Sequence, residues 1–155
     1  MLIITRNMDL EALVEEVHGK KVAIWTCRTC ARLCQGLGGD EAASALSQFL
    51  IARGVSVVGT SSTSASCLTS KVSSAMAKGP FQDAEIIISL TCDVAINVLS
   101  GFTETPILKC TKTWGRGYLD NQNNPILMET SPDNVIIETP VSKLADGQAR
   151  TGPFV

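Results

Sequence analysis

Three cysteines stand close together in the stretch Cys27-Arg28-Thr29-Cys30-Ala31-Arg32-Leu33-Cys34-Gln35-Gly36, with the spacing C-x2-C-x3-C. They are half of the six cysteines in the chain. On a helix these positions are i, i+3 and i+7, and they fall within an arc of roughly 60° at about 100° per residue. Three thiols on one face, following the apolar run Val22-Ala23-Ile24-Trp25, can reach one metal or one cluster. An iron–sulfur cluster takes short-range cysteine sets as ligands, with a fourth supplied from elsewhere. Zinc held by four cysteines normally shows two short pairs, whereas here one triple accompanies three dispersed cysteines. The spacing therefore favours the cluster, with zinc as the alternative. A thioredoxin-like C-x-x-C at Cys27 and Cys30 is a third reading, although Cys34 is surplus to that chemistry. Buried cysteines acting as small hydrophobes are the plain fourth.

The elements around this stretch suggest how it is positioned. Asp9 can cap a helix running to about His18, in which Leu10, Leu13, Val14 and Val17 follow one apolar face. His18, the only histidine, sits in the last helical turn, where a cation complements the helix dipole. Nothing beside it resembles a site. A strand over about 21–26 leads into the cysteine stretch and Gly36-Leu37-Gly38-Gly39. Asp40 can cap a second helix to about Arg53, with Leu46, Phe49 and Leu50 inward and Gly54 as its stop. The strand Val55-Ser56-Val57-Val58-Gly59 gives way to a Ser/Thr-rich loop at 60–66, which delivers Cys67 at the start of a third helix. Glu85-Ile86-Ile87-Ile88-Ser89-Leu90 is the clearest strand, of the buried parallel type, and ends at Cys92. A short helix over 93–100 and a strand over 106–109 follow, with Cys110 at the end of that strand.

Strands alternate with helices at the spacing of βαβ units. This predicts an α/β fold: a three-layer, Rossmann-like or flavodoxin-like parallel sheet. Cys27, Cys67, Cys92 and Cys110 each follow a separate predicted strand. Ligands of open α/β sheets bind beyond the carboxyl ends of the strands, so the cysteines are expected to share one edge. Residues 1–112 are read as the α/β domain and 113–155 as an irregular C-terminal arm, not an independent domain. Trp114-Gly115-Arg116-Gly117-Tyr118 and 120–125 read as loop, with one possible edge strand at 134–138. Residues 145–155 read as a polar tail, either disordered or docked on a partner. Trp114 and Tyr118 serve either as an exposed aromatic contact or as loop anchors on the core.

Whole-chain properties bound the function. At 155 residues, one domain with a full hydrophobic core is expected. No apolar run approaches the ~20 residues needed to span a bilayer. The start, Met1-Leu2-Ile3-Ile4-Thr5, lacks a basic leader, so the expected location is cytoplasmic, with the cysteines reduced or ligating. A net charge of −2 gives no electrostatic case for nucleic acid. There is no internal repeat, no G-x-G-x-x-G or Walker-type loop, and no Ser-His-Asp arrangement. The glycines at 36–39 open onto a helix N-terminus, where N–H groups can hold an anion or a cluster sulfide; a flexible connector explains them equally well.

The stretch from Cys27 to Gly39 resembles the C-terminal-domain family of methylenetetrahydrofolate reductase. That family includes the small iron–sulfur partner subunit of the flavin-bearing reductase of acetogenic bacteria. Its pattern is close to C-G-T-C-A-x-x-C-Q-x-G-G; here Arg28 replaces the first Gly and one residue is inserted before Gly38-Gly39. Val57-Val58-Gly59-Thr60 with the later Cys67, Leu90-Thr91-Cys92, and Thr103-Glu104-Thr105-Pro106 also match. The family tail, roughly C-P-V-T-R-C-A-K-G…N-G-P-C-G-G, keeps its frame as Thr139-Pro140-Val141-Ser142-Lys143-Leu144-Ala145-Asp146-Gly147 and Thr151-Gly152-Pro153-Phe154. Thr139, Leu144 and Phe154 stand at its cysteine positions. The upstream ferredoxin-type cysteines are missing too.

The resemblance implies an accessory subunit that binds one [4Fe–4S] cluster, with Cys27, Cys30, Cys34 and Cys67 as ligands and Cys92 next. Cys110 ranks last, because it has no counterpart in the family. The implied role is electron transfer or complex assembly in one-carbon metabolism, without independent turnover. The implied partner is a flavin-containing reductase subunit or another redox protein, in a hetero-oligomer. The relay of the family's tail cysteines looks erased. The competing class is a non-redox interaction module, with zinc or no metal at the same cysteines. A standalone enzyme with an open iron is a third reading.

Overall fold

The computed structural model describes residues 1–144 and 152–155. Its elements in order are β1 (Leu2–Arg6), α1 (Leu10–Val17), β2 (Lys21–Cys27), α2 (Cys30–Leu33), α3 (Asp40–Ala52), β3 (Ser56–Thr63), α4 (Thr69–Met76), β4 (Ile86–Leu90), α5 (Asp93–Ser100), β5 (Ile107–Lys109), β6 (Thr111–Leu119), β7 (Pro125–Thr130) and β8 (Ile136–Pro140), then a 3-10 turn at Val141–Lys143. They form a mixed α/β structure with two four-stranded sheets. One is parallel, in the order β3-β2-β4-β5. The other is antiparallel, in the order β1-β6-β7-β8.

The parallel sheet follows from its sequence. β4 is buried at every position, and β2 at every position after Lys21. Such continuous apolar runs need cover on both faces. Side chains alternate across a strand, and the two faces of β2 enter different clusters. Val22 and Ile24 pack with Leu13 and Val17 of α1 and Leu46 and Leu50 of α3. Ala23 and Trp25 pack with Val72 of α4 and Leu99 of α5, and Trp25 meets Phe81 with ring centroids 5.6 Å apart.

Local signals hold at some boundaries and shift at others. The Asp9 carboxylate accepts from the Ala12 N–H at 2.8 Å and caps α1 as expected. Asp40, by contrast, is the first residue of α3 and Gly39 is the cap. The Asp40 carboxylate instead accepts from Ser62 Oγ and lies 3.8 Å from the Arg28 guanidinium. Most of the Ser/Thr-rich loop belongs to β3, which runs to Thr63 because it pairs with the full length of β2. The helix expected to open at Cys67 begins at Thr69.

The larger correction concerns the last third. The stretch from Trp114 to Tyr118 is not loop but lies within β6, which pairs with β1 on one side and β7 on the other. Its glycines suggest irregular chain, yet Gly117 is needed inside the sheet. A Cβ there would lie 2.1 Å from the Ile126 carbonyl oxygen and 2.5 Å from Ile3 Cγ1. Trp114 is an anchor: its indole N–H donates to Thr5 Oγ1 at 2.9 Å, and Lys112 Nζ sits 3.6 Å from its ring centre. β8 is the expected edge strand. The polar tail falls largely on 145–151, outside the described residues.

Gly117→Ala is expected to lower stability by about 1–3 kcal/mol, the usual range for an overpacked core. Urea unfolding measures this, and an unchanged midpoint would contradict the close β6–β7–β1 approach.

Candidate metal centre

The cysteine stretch is placed by the end of β2. Cys27 is the last residue of that strand, and the Arg28 N–H continues toward β3 by donating to the Thr63 carbonyl at 2.9 Å. Thr29 Oγ1 donates to the Ser64 carbonyl, tying the loop to the segment after β3. Only Cys30–Leu33 is helical. The expected i, i+3, i+7 face across all three cysteines is therefore not formed, because Cys27 belongs to the strand and Cys34 caps the turn. Gln35 (φ 55°) and Gly36 (φ 76°) then reverse the chain through left-handed conformations. Gly38 N–H returns to the Ala31 carbonyl at 3.0 Å, and Gly39 N–H donates to the buried Thr26 Oγ1 at 2.8 Å. A Cβ on Gly38 would lie 2.5 Å from Ala31 Cβ and 2.9 Å from the Leu90 carbonyl oxygen, so glycine alone allows this tight fold-back onto β2 and β4.

Sheet topology adds a fourth thiol. β3 lies on one side of β2 and β4 on the other. The connections reverse direction between β2 and β4, and the crevice off the carboxyl ends of two such strands is where α/β ligands sit. Cys27 ends β2, and Cys92 follows β4 as the residue before α5. The electrostatics link the thiols. Cys34 is pushed up to about 11, first by burial, with the charges of Cys30 and Cys92 adding to the rise and the Ile4 amide opposing it. Cys92 is raised by burial and by the charges of Cys30 and Cys27, against the amides of Ala95 and Val94. Cys27, Cys30, Cys34 and Cys92 thus occupy one neighbourhood, three of them buried.

The sulfurs also meet the other sheet. Alternate amides of β1 point away from its partner β6. The Leu2 N–H donates to Cys30 Sγ at 3.4 Å, and the Ile4 N–H donates to Cys34 Sγ at 3.4 Å. The sequence points instead to the N–H groups of the loop at 36–39 as donors. A backbone amide carries no side-chain signal. Phe154 is a second addition: it is buried in the same cluster as Cys27, Cys34 and Cys92, with the Arg6 guanidinium 5.6 Å from its ring centre. The position matching a cysteine in the resembled family therefore forms an apolar wall.

The remaining candidates lie elsewhere. Cys67 is exposed beyond the end of β3. Cys110 is fully buried with its thiol 3.8 Å from Met8 Sδ, and burial pushes it up to about 12. It acts as a small hydrophobe. His18 caps the C-terminus of α1.

No group of three or more His, Cys, Asp or Glu among the described residues forms a ready metal site. A single zinc, with Zn–S bonds of about 2.3 Å, would draw its four sulfurs to roughly 4 Å of one another. The donor chemistry nevertheless fits a thiolate-bound cation. Burial and mutual repulsion resist ionisation of Cys34 and Cys92, and a bound cation would relieve both.

These shifts have a pH consequence for the metal-free protein. A thiol whose folded value is raised contributes stability that is complete below the unfolded value of 9.0 and is lost as pH climbs through the folded value. The urea midpoint is expected to hold near pH 8 and to fall between 9 and 11, with Cys34 accounting for about 3 kcal/mol at 1.36 kcal/mol per unit. Cys34→Ala should remove that share of the fall and leave the shares of Cys92 and Cys110; an equally steep profile in the variant would contradict the assignment. No protein-family model, characterised protein or solved structure matches this chain, so the family resemblance rests on its motif residues.

Proposed function

We propose that the chain binds one iron–sulfur cluster, of the [4Fe–4S] type, through Cys27, Cys30, Cys34 and Cys92. It would serve as an accessory subunit for electron transfer or complex assembly in methylenetetrahydrofolate reductase-like one-carbon metabolism. The observation that carries this reading is that Cys27 ends β2 and Cys92 follows β4 at the reversal between those strands, with Cys30 and Cys34 within electrostatic reach of Cys92. The strand order and the helices on both faces support reading the parallel half as a flavodoxin-like three-layer unit. Cys92 replaces Cys67 as the fourth ligand because Cys67 is exposed, whereas Cys92 is buried and its charge acts on Cys34.

The chain's own residues would supply geometry and environment. The tight turn at Gly38 holds the Cys30–Cys34 segment against β4. The Leu2 amide donates to Cys30 Sγ, and the Ile4 amide favours the thiolate form of Cys34. Phe154, Leu37 and Leu90 exclude water from the same cluster. A bound cluster supplies one-electron redox chemistry whose potential is set by burial and by hydrogen bonds to sulfur.

A solitary centre exchanges electrons only when a partner docks beside it. A flavin-containing reductase subunit or another redox protein is the partner the resemblance suggests. The apolar edge at β8 and the residue before it also suits a second reading, a zinc-bound or metal-free interaction module. Val135, Ile136 and Ile137 there are 59%, 58% and 47% exposed, and an unpaired strand edge is a template for another chain.

Anaerobic purification with iron and acid-labile sulfide analysis separates the readings. About four of each per chain, with visible absorbance that bleaches on reduction, is the expected result. Loading should be lost in Cys30→Ser and Cys92→Ser and kept in Cys67→Ser and Cys110→Ala. Zinc, or no metal, in the anaerobic protein would reject the cluster in favour of the interaction module.

A further inference from the structure

The cysteine loop also borders a cleft of about 560 Å3, whose walls include Arg28, Arg32, Gly36, Asp40, Glu41 and Ala45. That volume is within the range of roughly 300–1,000 Å3 typical of small-molecule sites. Two arginines face it from between the cysteines. Arg28 is drawn toward Asp40 at 3.8 Å. Arg32 lays its aliphatic stem across Gly39, where its Cγ would be 3.3 Å from an added Cβ. Its guanidinium has no ion-pair or hydrogen-bond partner among the described residues.

The floor of the cleft is built for close approach. A side chain at Gly36 would meet nothing within 4 Å, so open space stands over the backbone. On the far wall, α3 begins at Asp40 and runs 13 residues. Its first-turn amides have no acceptor within the helix. A guanidinium fork and a helix start facing one space are complementary to a tetrahedral oxyanion. The carboxylates of Asp40 and Glu41 line the same space. They disfavour a bare polyanion and accept from hydroxyl or amino groups beside a single phosphate.

From the cleft, its volume and Arg32, which has no partner among the described residues, we infer that this site binds a small phosphate monoester carrying hydroxyl or amino donors. Arg32 holds the phosphate, and the acidic wall accepts from the donors. The inference does not rest on the metal reading, because none of these groups is a thiol. A ligand seated here would contact the loop between Cys27 and Cys34 and so couple to that centre.

The test is isothermal titration of the full chain as purified, with glycerol 3-phosphate as the probe and citrate as the carboxylate comparison. One saturable site per chain is expected for glycerol 3-phosphate, and much weaker binding for citrate. Arg32→Gln should weaken the site about tenfold or more, the loss expected for a charge-assisted hydrogen bond. Ala45→Phe should abolish it by filling the cleft without altering charge, and Lys78→Gln, away from the cleft, should leave it unchanged. No saturable binding, equal affinity for citrate, or full affinity in either Arg32→Gln or Ala45→Phe would overturn the proposal.

Discussion

A backbone amide buried without an acceptor costs about as much as a lost hydrogen bond. β1 meets this constraint in an unusual way. One set of its N–H groups pairs with β6, while Leu2 and Ile4 turn theirs to the sulfurs of Cys30 and Cys34. The edge of the antiparallel sheet is thereby closed by side chains of the cysteine loop, and the loop is fixed by the edge. Neither half is complete alone. The Cys34 sulfur needs a donor if it is to ionise, and the strand needs acceptors if it is to be buried.

The same contact explains why two sheets of opposite kind coexist in a short chain. The parallel sheet has β2 among its inner strands, with Val22 and Ile24 in one apolar cluster and Ala23 and Trp25 in another. The antiparallel sheet has a smaller core of Ile3, Leu127 and Val141. Continuity between them comes from β1, whose Ile4 belongs to the larger cluster while Ile3 belongs to the smaller. Alternation along a single strand thus joins the two cores. Phe154 adds a third tie, bringing the chain end back onto the cysteine neighbourhood.

Chemistry and packing compete at the centre. Burial pushes Cys34 and Cys92 toward the protonated form, and neighbouring thiolates add to the effect. The amides of Ile4, Ala95 and Val94 act in the opposite sense. Under the proposed reading, a bound cation would relieve that repulsion with release of protons. Cys110 shows the contrast. It is as buried as Cys34 but has a methionine sulfur beside it rather than other thiols, and it serves packing alone.

Much of this was legible in the sequence, wherever a short-range signal has a local cause. The apolar runs of β2 and β4, the Asp9 cap and the cysteine cluster after β2 were all read from neighbouring residues. The edge role of β8 and the anchoring of Trp114 were readable as options. β6 was hidden because Gly115 and Gly117 look like loop residues until Ile3 and Ile126 are seen pressing against Gly117. The choice between Cys67 and Cys92 was hidden as well. Both follow strands at similar spacing, and only the strand order sets Cys92 beside Cys27 at the reversal. The β1 amides at the sulfurs could not be read at all, since every residue has an N–H and its direction depends on which strand pairs on the other side. Sequence alone determined the helices and the strands of the parallel sheet, because propensity and apolar pattern are local properties. The tertiary structure decided which strand ends adjoin and which amides reach the sulfurs of Cys30 and Cys34, because strand order and edge exposure arise only when distant segments pack.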